Sequence, residues 1–312
     1  MKLTIKDIAA RCGVGKSTVS RVLNNAPNVN PQTRAKIQAI IDELNFAPNK
    51  TARAMRGSGE QVVGIIVTRL NSTAESQTLS RILNALYAQN ITPIIVESQF
   101  KPAQVERELL LFKQRQVDGV ILFGFSGLQT QHLAHWQGAL VTVAKAYEQK
   151  SAVYYDDENA IKALLTHFYQ QGHRQIGYLG IHEQDETTGK KRTTAYLEFC
   201  KTHQLTPYLQ QAELSIESGY QQMPLLMQLP LSALVCATHS LAVGALKYLQ
   251  EHQQNLPLAC IGQSPILQAL APQLVSLDFG YEQAGQQAVT LLLEQLNGSS
   301  AVVQQKIPFN WY

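Results

Sequence analysis

The chain of 312 residues lacks the features of an exported, membrane-spanning or disulfide-linked protein. It has no N-terminal signal peptide and no apolar run of about 18 residues, so we expect a cytoplasmic protein. Its four cysteines, Cys12, Cys200, Cys236 and Cys260, lie far apart and form no C-x-x-C pair. We therefore expect reduced core cysteines and neither a disulfide set nor a zinc site.

Motifs of common enzyme classes are also missing. The sequence contains no G-x-S-x-G turn, and its histidines show no spacing typical of metal ligands. Asp156, Asp157 and Glu158 form an acidic trio. Carboxylates adjacent in sequence do not by themselves form a catalytic pair, and at this position we expect them to cap the following helix. We therefore predict no catalytic residue, no metal and no cofactor.

One segment, GVGKS at residues 13–17, resembles the end of a phosphate-binding loop. The full motif is G-x-x-x-x-G-K-[ST] and follows a buried strand. Lys16 and Ser17 fit its end, but Ala10 stands where the first glycine belongs. The preceding residues 4–12 have apolar positions at helical spacing, which is the wrong context. A nucleotide-binding loop is therefore excluded.

The same segment fits two short helices joined by a tight turn, which is a helix-turn-helix. Thr4 is a good N-cap for a first helix that runs to Cys12, and Gly13 breaks it. A second helix begins near residues 15–17 and continues through Leu23. A third begins at Pro31, a favoured first-turn residue. The apolar residues expected between these helices are Val14, Val19, Val22, Leu23, Ile37, Ile40, Ile41 and Leu44.

The distribution of charge points to a nucleic-acid partner for this part of the chain. Residues 1–57 carry ten Lys and Arg but three Asp and Glu, a net charge of +7. The whole chain carries +3, so the remainder carries −4. A basic head on an acidic body is typical of a protein whose head binds DNA or RNA.

The run LTIKDIAARCGVGKSTVSRVLNN (3–25), followed by NVNPQTRAKIQAIIDELNFAPNKTARAMRG (28–57), resembles the DNA-binding headpiece of the lactose/galactose-repressor family. The resemblance implies a homodimeric transcriptional repressor that binds double-stranded operator DNA. It places Lys16, Ser17 and Arg21 against base edges in the major groove, with Thr18 on the same helix. Residues implied to contact phosphate are Thr4, Ser20, Asn24 and Thr33; an exposed polar helix face explains Ser20 and Asn24 equally well.

NKTARAMRGSGE, from Asn49, connects the headpiece to the rest of the chain. Pro48 stops the third helix, and the helical run that follows is too short to be stable alone. The resemblance implies a hinge helix that binds the minor groove through Ala52 and Arg53 and inserts Met55 between base pairs. We favour this hinge over an ordinary linker because a Gly-Ser-Gly sequence follows it.

Beyond residue 60, short apolar runs alternate with helical patterns, which predicts parallel sheets covered by helices. The predicted strands are 62–68, 92–98, 117–125, 139–145, 176–180, 233–238, 258–262 and 274–279, and the predicted helices lie near 73–89, 103–115, 157–171, 189–203, 240–252 and 281–296. The expected fold is a small all-α helix-turn-helix headpiece plus an α/β periplasmic-binding-protein-like core of two doubly wound parallel-sheet lobes. The predicted domains are a headpiece at 1–47, a hinge and linker at 48–60, and an effector-binding and dimerisation core at 61–312. The chain is expected to change lobe near residues 154–161. No leucine heptad follows the last helix, so we expect no tetramerising tail.

Polar and charged side chains cluster directly after the predicted strands, where ligands bind in such folds. Arg69 follows one strand, Gly124 and Lys145 end two others, and Arg192 lies in the first turn of a later helix. Cations from several strand ends of an acidic domain suggest a phosphorylated ligand. The start of that helix, with the hydroxyls of Thr187 and Thr188 and the charges of Lys190 and Lys191, is expected to be an anion site. At least one of the two lysines is expected to be a solvated surface charge.

The core segments GIIVTRL, ESQF, DGVILFGF, VYYDDENAIK and TTGKKRTTAYLEFCK resemble a branch of the family that senses trehalose 6-phosphate. The resemblance implies a phosphate site at Arg69, Arg192 and Lys145, with Gly124 allowing close approach of the ligand. Sugar hydroxyls would bond to Glu75, Asp185 and Thr188. The full set of expected effector-binding residues is Arg69, Leu70, Asn71, Ser72, Thr73, Glu75, Gly124, Lys145, Asp185, Thr187, Thr188, Arg192, Ser240 and Tyr281.

Two positions depart from the pattern of that branch. His239 stands where the family commonly has Asp, and Lys145 stands where an arginine would bind phosphate through two hydrogen bonds. These departures leave open another sugar, another sugar phosphate or a purine as the effector. A phosphosugar enzyme with a DNA-binding head is the second alternative.

Overall fold

The computed structural model describes residues 5–23, 26, 28–43 and 61–311. The chain divides into two compact units, residues 1–61 and 62–312, each of which is described by itself. Within the described residues, no helix is both long and apolar enough to cross a membrane.

The first unit contains three helices, α1 (Ile5–Cys12), α2 (Lys16–Leu23) and α3 (Pro31–Glu43). Gly13 ends α1 with φ +66°, a left-handed conformation that glycine adopts at little cost. Ile8, Val19 and Ile37 are fully buried where the three helices meet. The helix-turn-helix predicted from the sequence is therefore present.

The second unit contains two six-stranded sheets. The first sheet has the order β11-β5-β4-β3-β1-β2 and is parallel throughout; the second has the order β12-β10-β9-β8-β6-β7 and is parallel except for β12. The strands are β1 (Val62–Val67), β2 (Thr92–Glu97), β3 (Gly119–Phe123), β4 (Ala139–Val143), β5 (Ser151–Tyr155), β6 (Ile176–Ile181), β7 (Tyr208–Ala212), β8 (Ala233–Cys236), β9 (Leu258–Ile261), β10 (Val275–Asp278), β11 (Gln304–Ile307) and β12 (Asn310–Trp311).

Helices connect the strands and cover both sheets, as the alternating pattern predicts. They are α4 (Thr73–Tyr87), α5 (Pro102–Gln114), α6 (Asp157–Gln170), α7 (Arg192–Thr202), α8 (Ile216–Leu226), α9 (His239–Glu251), α10 (Pro265–Leu270) and α11 (Tyr281–Leu296), with a 3₁₀ turn at Thr130–Leu133 and a π-helical turn at Glu186–Lys191. The chain passes from the first sheet to the second between β5 and α6, and α11 returns to pack against α4 and the first sheet.

Every strand predicted from an apolar run is present, but four strands and two helices were not predicted. The unpredicted β7, YLQQA, carries two glutamines and is half-exposed along most of its length. β11 and β12 are polar and short, and β5 ends inside the segment 154–161 that was assigned to the change of lobe. The unpredicted α8 contains Gly219 and Pro224, which lower helix propensity. Tertiary packing therefore stabilises elements whose local pattern is weak.

Candidate functional site

The polar surface of α2 carries the residues predicted to contact DNA. Lys16, Ser17 and Arg21 are exposed, while Val19 and Val22 pack into the core on the opposite side of the helix. Thr18, Ser20 and Thr33 are half-buried. The remaining predicted contacts, Thr4, Asn24, Asn49, Ala52, Arg53 and Met55, lie outside the described residues.

A cleft of about 950 Å³, part of which is open to solvent, lies at the carboxyl ends of the strands of both sheets. The effector-binding residues predicted from the sequence that line it are Arg69, Ser72, Thr73, Glu75, Gly124, Asp185, Thr187, Thr188, Arg192, Ser240 and Tyr281. The lining residues outside the predicted set are Thr68, Ala74, Thr78, Phe100, Phe123, Phe125, Ala144, Tyr155, Asp157, Leu214, Thr238, His239 and Phe279. Most of them were missed because apolar side chains at strand ends resemble ordinary core residues in the sequence.

Glu75 stabilises the turn between β1 and α4 through hydrogen bonds. Its carboxylate accepts a hydrogen bond of 2.8 Å from the Thr68 amide and another from the Thr68 hydroxyl. Burial raises the pKa of Glu75, and the hydrogen bonds from Thr68 offset this only in part. Ser72 caps the same helix by accepting from the Glu75 amide at 3.3 Å. The expected sugar contact of Glu75 therefore depends on a carboxylate that also holds the turn together.

Arg69 carries an unsatisfied donor at the cleft. Its Nη1 donates to the Leu214 carbonyl at 3.0 Å, which joins the first sheet's side of the cleft to the second. Its Nε is buried and has no hydrogen-bond partner among the described residues. A buried N–H without an acceptor is unfavourable, so this position favours a ligand that brings an anionic oxygen. Thr188 Oγ1, at the other side of the cleft, is also buried without a partner.

Arg192 is held by a buried carboxylate rather than left free for a ligand anion. Its Nε and Nη2 both lie 2.7 Å from Asp157 Oδ1, and Nη1 donates to the Ala237 carbonyl. Burial lowers the pKa of Arg192, but the charge and hydrogen bond of Asp157, together with Tyr281 and Tyr178, outweigh this and the net shift is upward. Because Asp157 already neutralises the guanidinium, the phosphate role expected for Arg192 does not fit this arrangement. Asp157 and Glu158 lie in the first turn of α6, where the helix dipole favours negative charge, whereas the N-cap residue Asp156 makes no side-chain cap bond.

The π-helical turn after β6 is also occupied by an internal anion. Asp185 Oδ1 accepts from the amides of Thr187 at 3.0 Å and Thr188 at 2.8 Å. Backbone amides at the start of a helix favour an anion, and here a carboxylate provides it. An anion site at this turn, expected from the lysines and hydroxyls, is therefore already filled. Asp185 Oδ2 remains to accept from a ligand hydroxyl.

Aromatic rings form one wall of the cleft. Tyr155 stacks on Phe279 with ring centroids 4.9 Å apart, and Tyr281 meets Tyr155 edge-on at 5.4 Å. The Arg192 guanidinium lies 4.9 Å from the centroid of Phe279. Burial raises the pKa of both Tyr155 and Tyr281, so their hydroxyls are neutral donors. Aromatic faces beside polar groups suit a pyranose ring, which has an apolar C–H face.

His239 begins α9 at the cleft. Its Nε2 lies 2.7 Å from Ser264 Oγ, and Ser264 caps α10 by accepting from the Leu267 amide. Burial lowers the pKa of His239, so the ring is neutral at physiological pH. His239, which departs from the family pattern, thus lines the cleft as a neutral ring that can hydrogen-bond to a ligand hydroxyl.

Three of the predicted effector contacts lie outside the cleft lining. Leu70 is 53% exposed, and Asn71 lines a separate surface groove with Ser76 and Glu282. Lys145 is at the rim, where its Nζ lies 2.5 Å from Glu186 Oε2.

A helix-turn-helix unit together with a two-lobe α/β unit that bears a polar cleft defines a class of DNA-binding regulators. Residues 4–49 match the model of bacterial regulatory proteins of the lacI family, and residues 165–310 match a periplasmic binding protein-like domain. The chain is 47% identical to the HTH-type transcriptional regulator TreR of Escherichia coli, over 98% of both chains. It therefore belongs to the lacI family and is a transcriptional repressor that binds operator DNA.

Solved structures agree with this assignment. The trehalose repressor from Escherichia coli is 44% identical, has a TM-score of 0.79, and covers 81% of this chain and 100% of its own. The lac repressor dimer bound to operator and the anti-inducer ONPF has a TM-score of 0.81 over 100% of this chain and 98% of its own; at 21% identity it supports the fold alone. The relatives from Escherichia coli and Salmonella typhimurium, 47% and 46% identical, are transcriptional regulators and not enzymes, which argues against the phosphosugar-enzyme interpretation.

Proposed function

We propose that this repressor is a homodimer that regulates genes of trehalose uptake and use, and that trehalose 6-phosphate bound in the cleft releases it from its operator. The observation that carries the proposal is the buried Nε of Arg69, a donor without an acceptor at the cleft. The E. coli relatives named for trehalose support the identity of the sugar.

The order of the strands supports a phosphate site at one end of the cleft. β3 lies between β1 and β4 in the first sheet, so Gly124 lies between the strand ends that precede Arg69 and Lys145. A Cβ at Gly124 would come within 2.8 Å of Lys145 Cβ and 2.9 Å of the Tyr147 ring. Glycine therefore lets Lys145 and Tyr147 pack directly against the backbone at the end of β3, which holds Lys145 beside the cleft. The phosphate would lie here and not at Arg192, whose charge Asp157 neutralises.

Other residues of the cleft lining suit the sugar. Asp185, Thr188 and His239 offer acceptors and donors for hydroxyls, and Phe279 and Tyr281 offer aromatic faces. Two lobes that meet around a ligand favour a different arrangement when the cleft is filled. In a homodimer, that rearrangement would misalign two headpieces that bind half-sites of a near-palindromic operator. Because the two sites are linked, operator DNA would weaken effector binding by the same factor.

Fluorescence anisotropy of a labelled palindromic operator at fixed salt tests the proposal. The complex is titrated with trehalose 6-phosphate and, separately, with trehalose. The proposal is supported if trehalose 6-phosphate releases the DNA at a lower concentration than trehalose does. If neither sugar releases the DNA, the effector is a different molecule and the residues around His239 are the first to examine with other sugars, sugar phosphates and purines.

A further inference from the structure

Several contacts cross the cleft from one sheet's side to the other. Besides the bond from Arg69 to Leu214, Gln77 Nε2 donates to the Gln263 carbonyl at 3.0 Å. At the rim, Lys145 Nζ lies 2.5 Å from Glu186 Oε2, and the Glu186 amide donates to Ser126 Oγ at 2.6 Å. The last two contacts hold one residue, Glu186, from two directions.

The pair of Lys145 and Glu186 stands directly beside the cleft. Lys145 follows β4, and its neighbour Ala144 lines the cleft. Glu186 begins the π-helical turn, and both of its neighbours, Asp185 and Thr187, line the cleft. The Lys145 side chain is 17% exposed and the Glu186 side chain 48% exposed, so the ammonium is the more enclosed of the two.

Glu186 is ionised and surrounded by cations. The hydrogen bond from Lys145 lowers the pKa of Glu186, and the charges of Lys145, Lys191 and Lys190 lower it further. Its carboxylate therefore presents an anionic oxygen to the Lys145 ammonium, which is the same kind of contact that a phosphate would make. The two anions cannot occupy the same face of one ammonium at once.

We infer that Glu186 is an internal competitor for the Lys145 ammonium and thereby a specificity-determining residue that reduces the preference for phosphorylated over neutral sugars. The inference rests on the proposed function. A phosphate at Lys145 competes with the carboxylate for the charge of the ammonium, and the carboxylate stays nearby because the Glu186 amide is bonded to Ser126. A phosphate dianion next to a tethered carboxylate is repelled. A neutral sugar meets neither penalty.

The test is isothermal titration calorimetry on the full chain with trehalose 6-phosphate and with trehalose. The variant Glu186→Gln keeps the size of the side chain and removes its charge. We expect it to tighten binding of trehalose 6-phosphate by about three- to tenfold. The variant no longer has a carboxylate that competes with the phosphate for Lys145, and it no longer repels the phosphate. We expect no change for trehalose. The matched control is Glu198→Gln, which breaks the ion pair with Lys162, 3.1 Å long and outside the cleft lining.

The outcomes separate this inference from the proposed function. If the wild-type protein binds trehalose 6-phosphate and Glu186→Gln leaves the ratio of the two affinities unchanged, the inference is wrong and the proposed function stands. If the variant weakens both sugars together, Glu186 acts as a clasp that closes the lobes, and the inference is again wrong. If the wild-type protein does not bind trehalose 6-phosphate, both are wrong.

Discussion

Replacing Asp157 with Asn removes the counter-ion of a guanidinium that lies almost entirely inside the protein. The side chains of Arg192 and Asp157 are 4% and 5% exposed, and two nitrogens of Arg192 lie 2.7 Å from Asp157 Oδ1. An amide oxygen in that position can still accept these hydrogen bonds but cannot neutralise the charge. The variant therefore keeps the shape of the site and leaves a buried cation uncompensated.

The expected size of the effect follows from that burial. Removing one partner of a buried ion pair destabilises a protein by about 3–5 kcal/mol. For a unit of this size each kcal/mol lowers Tm by about 2–4 °C, so Asp157→Asn is expected to lower the Tm of the second unit by about 6–20 °C. Glu198→Gln breaks a pair with side chains 39% and 58% exposed and is expected to change stability by about 1 kcal/mol or less.

Scanning calorimetry and urea unfolding of both variants provide the measurement. A third variant, Asp157→Leu with Arg192→Met, removes both charges together. It is expected to be more stable than Asp157→Asn, since replacing a whole buried pair by apolar groups is often close to neutral. If Asp157→Asn is no less stable than Glu198→Gln, the pair is not buried in solution and the assignment of Arg192 as neutralised is wrong.

Three further changes test the cleft and the headpiece. Arg69→Gln removes a charged donor and is expected to weaken trehalose 6-phosphate binding about tenfold or more in calorimetry, with a smaller effect on trehalose; equal losses for both sugars would contradict a phosphate contact. Burial lowers the pKa of His239 from 6.5, so as the pH falls the unfolded chain is protonated at this residue before the folded chain is. The free energy of unfolding of the wild-type protein therefore decreases as the pH drops below about 6.5. His239→Asn is expected to flatten the fall in Tm between about pH 7.5 and 5.5, and an unchanged slope would show that another group causes it. Arg21→Ala is expected to weaken operator binding by about 1–3 kcal/mol and to relax discrimination against a scrambled site. Its control, Arg11→Ala on α1, should leave that discrimination intact. If anisotropy gives both variants the same ratio of operator affinity to scrambled-site affinity, Arg21 contacts phosphate and not a base.

The headpiece and most of the α/β unit were predictable because their patterns are local. Helical spacing and a glycine at the turn define α1 and α2, and continuous apolar runs define strands such as β1 and β3. The same reasoning misses β7 and β11, whose polar residues become strands only by pairing with β6 and β5. Arg69 and Thr188, which were expected near the cleft because they follow strands, do line it, since the carboxyl ends of parallel strands share one edge of a sheet.

The charges of the candidate site were less predictable than its location. Arg69, Lys145 and Arg192 carry the same charge in the sequence, and all three were expected to hold phosphate. In the fold, Asp157 neutralises Arg192 from 35 positions away, and Glu186 pairs with Lys145 from 41 positions away. Only the Nε of Arg69 among these groups is buried without a partner within the described residues.

The sequence alone established the class of protein, because helix periodicity, strand runs and net charge depend on neighbouring residues. The state of the cleft's charged groups depended on the tertiary structure, since an ion pair requires two side chains from distant turns to converge. The strength of an ion pair also depends on its burial, and burial results from the packing of helices and loops around both sheets. Arg192 and Lys145 thus differ in function through their partners, Asp157 and Glu186, and not through their own chemistry.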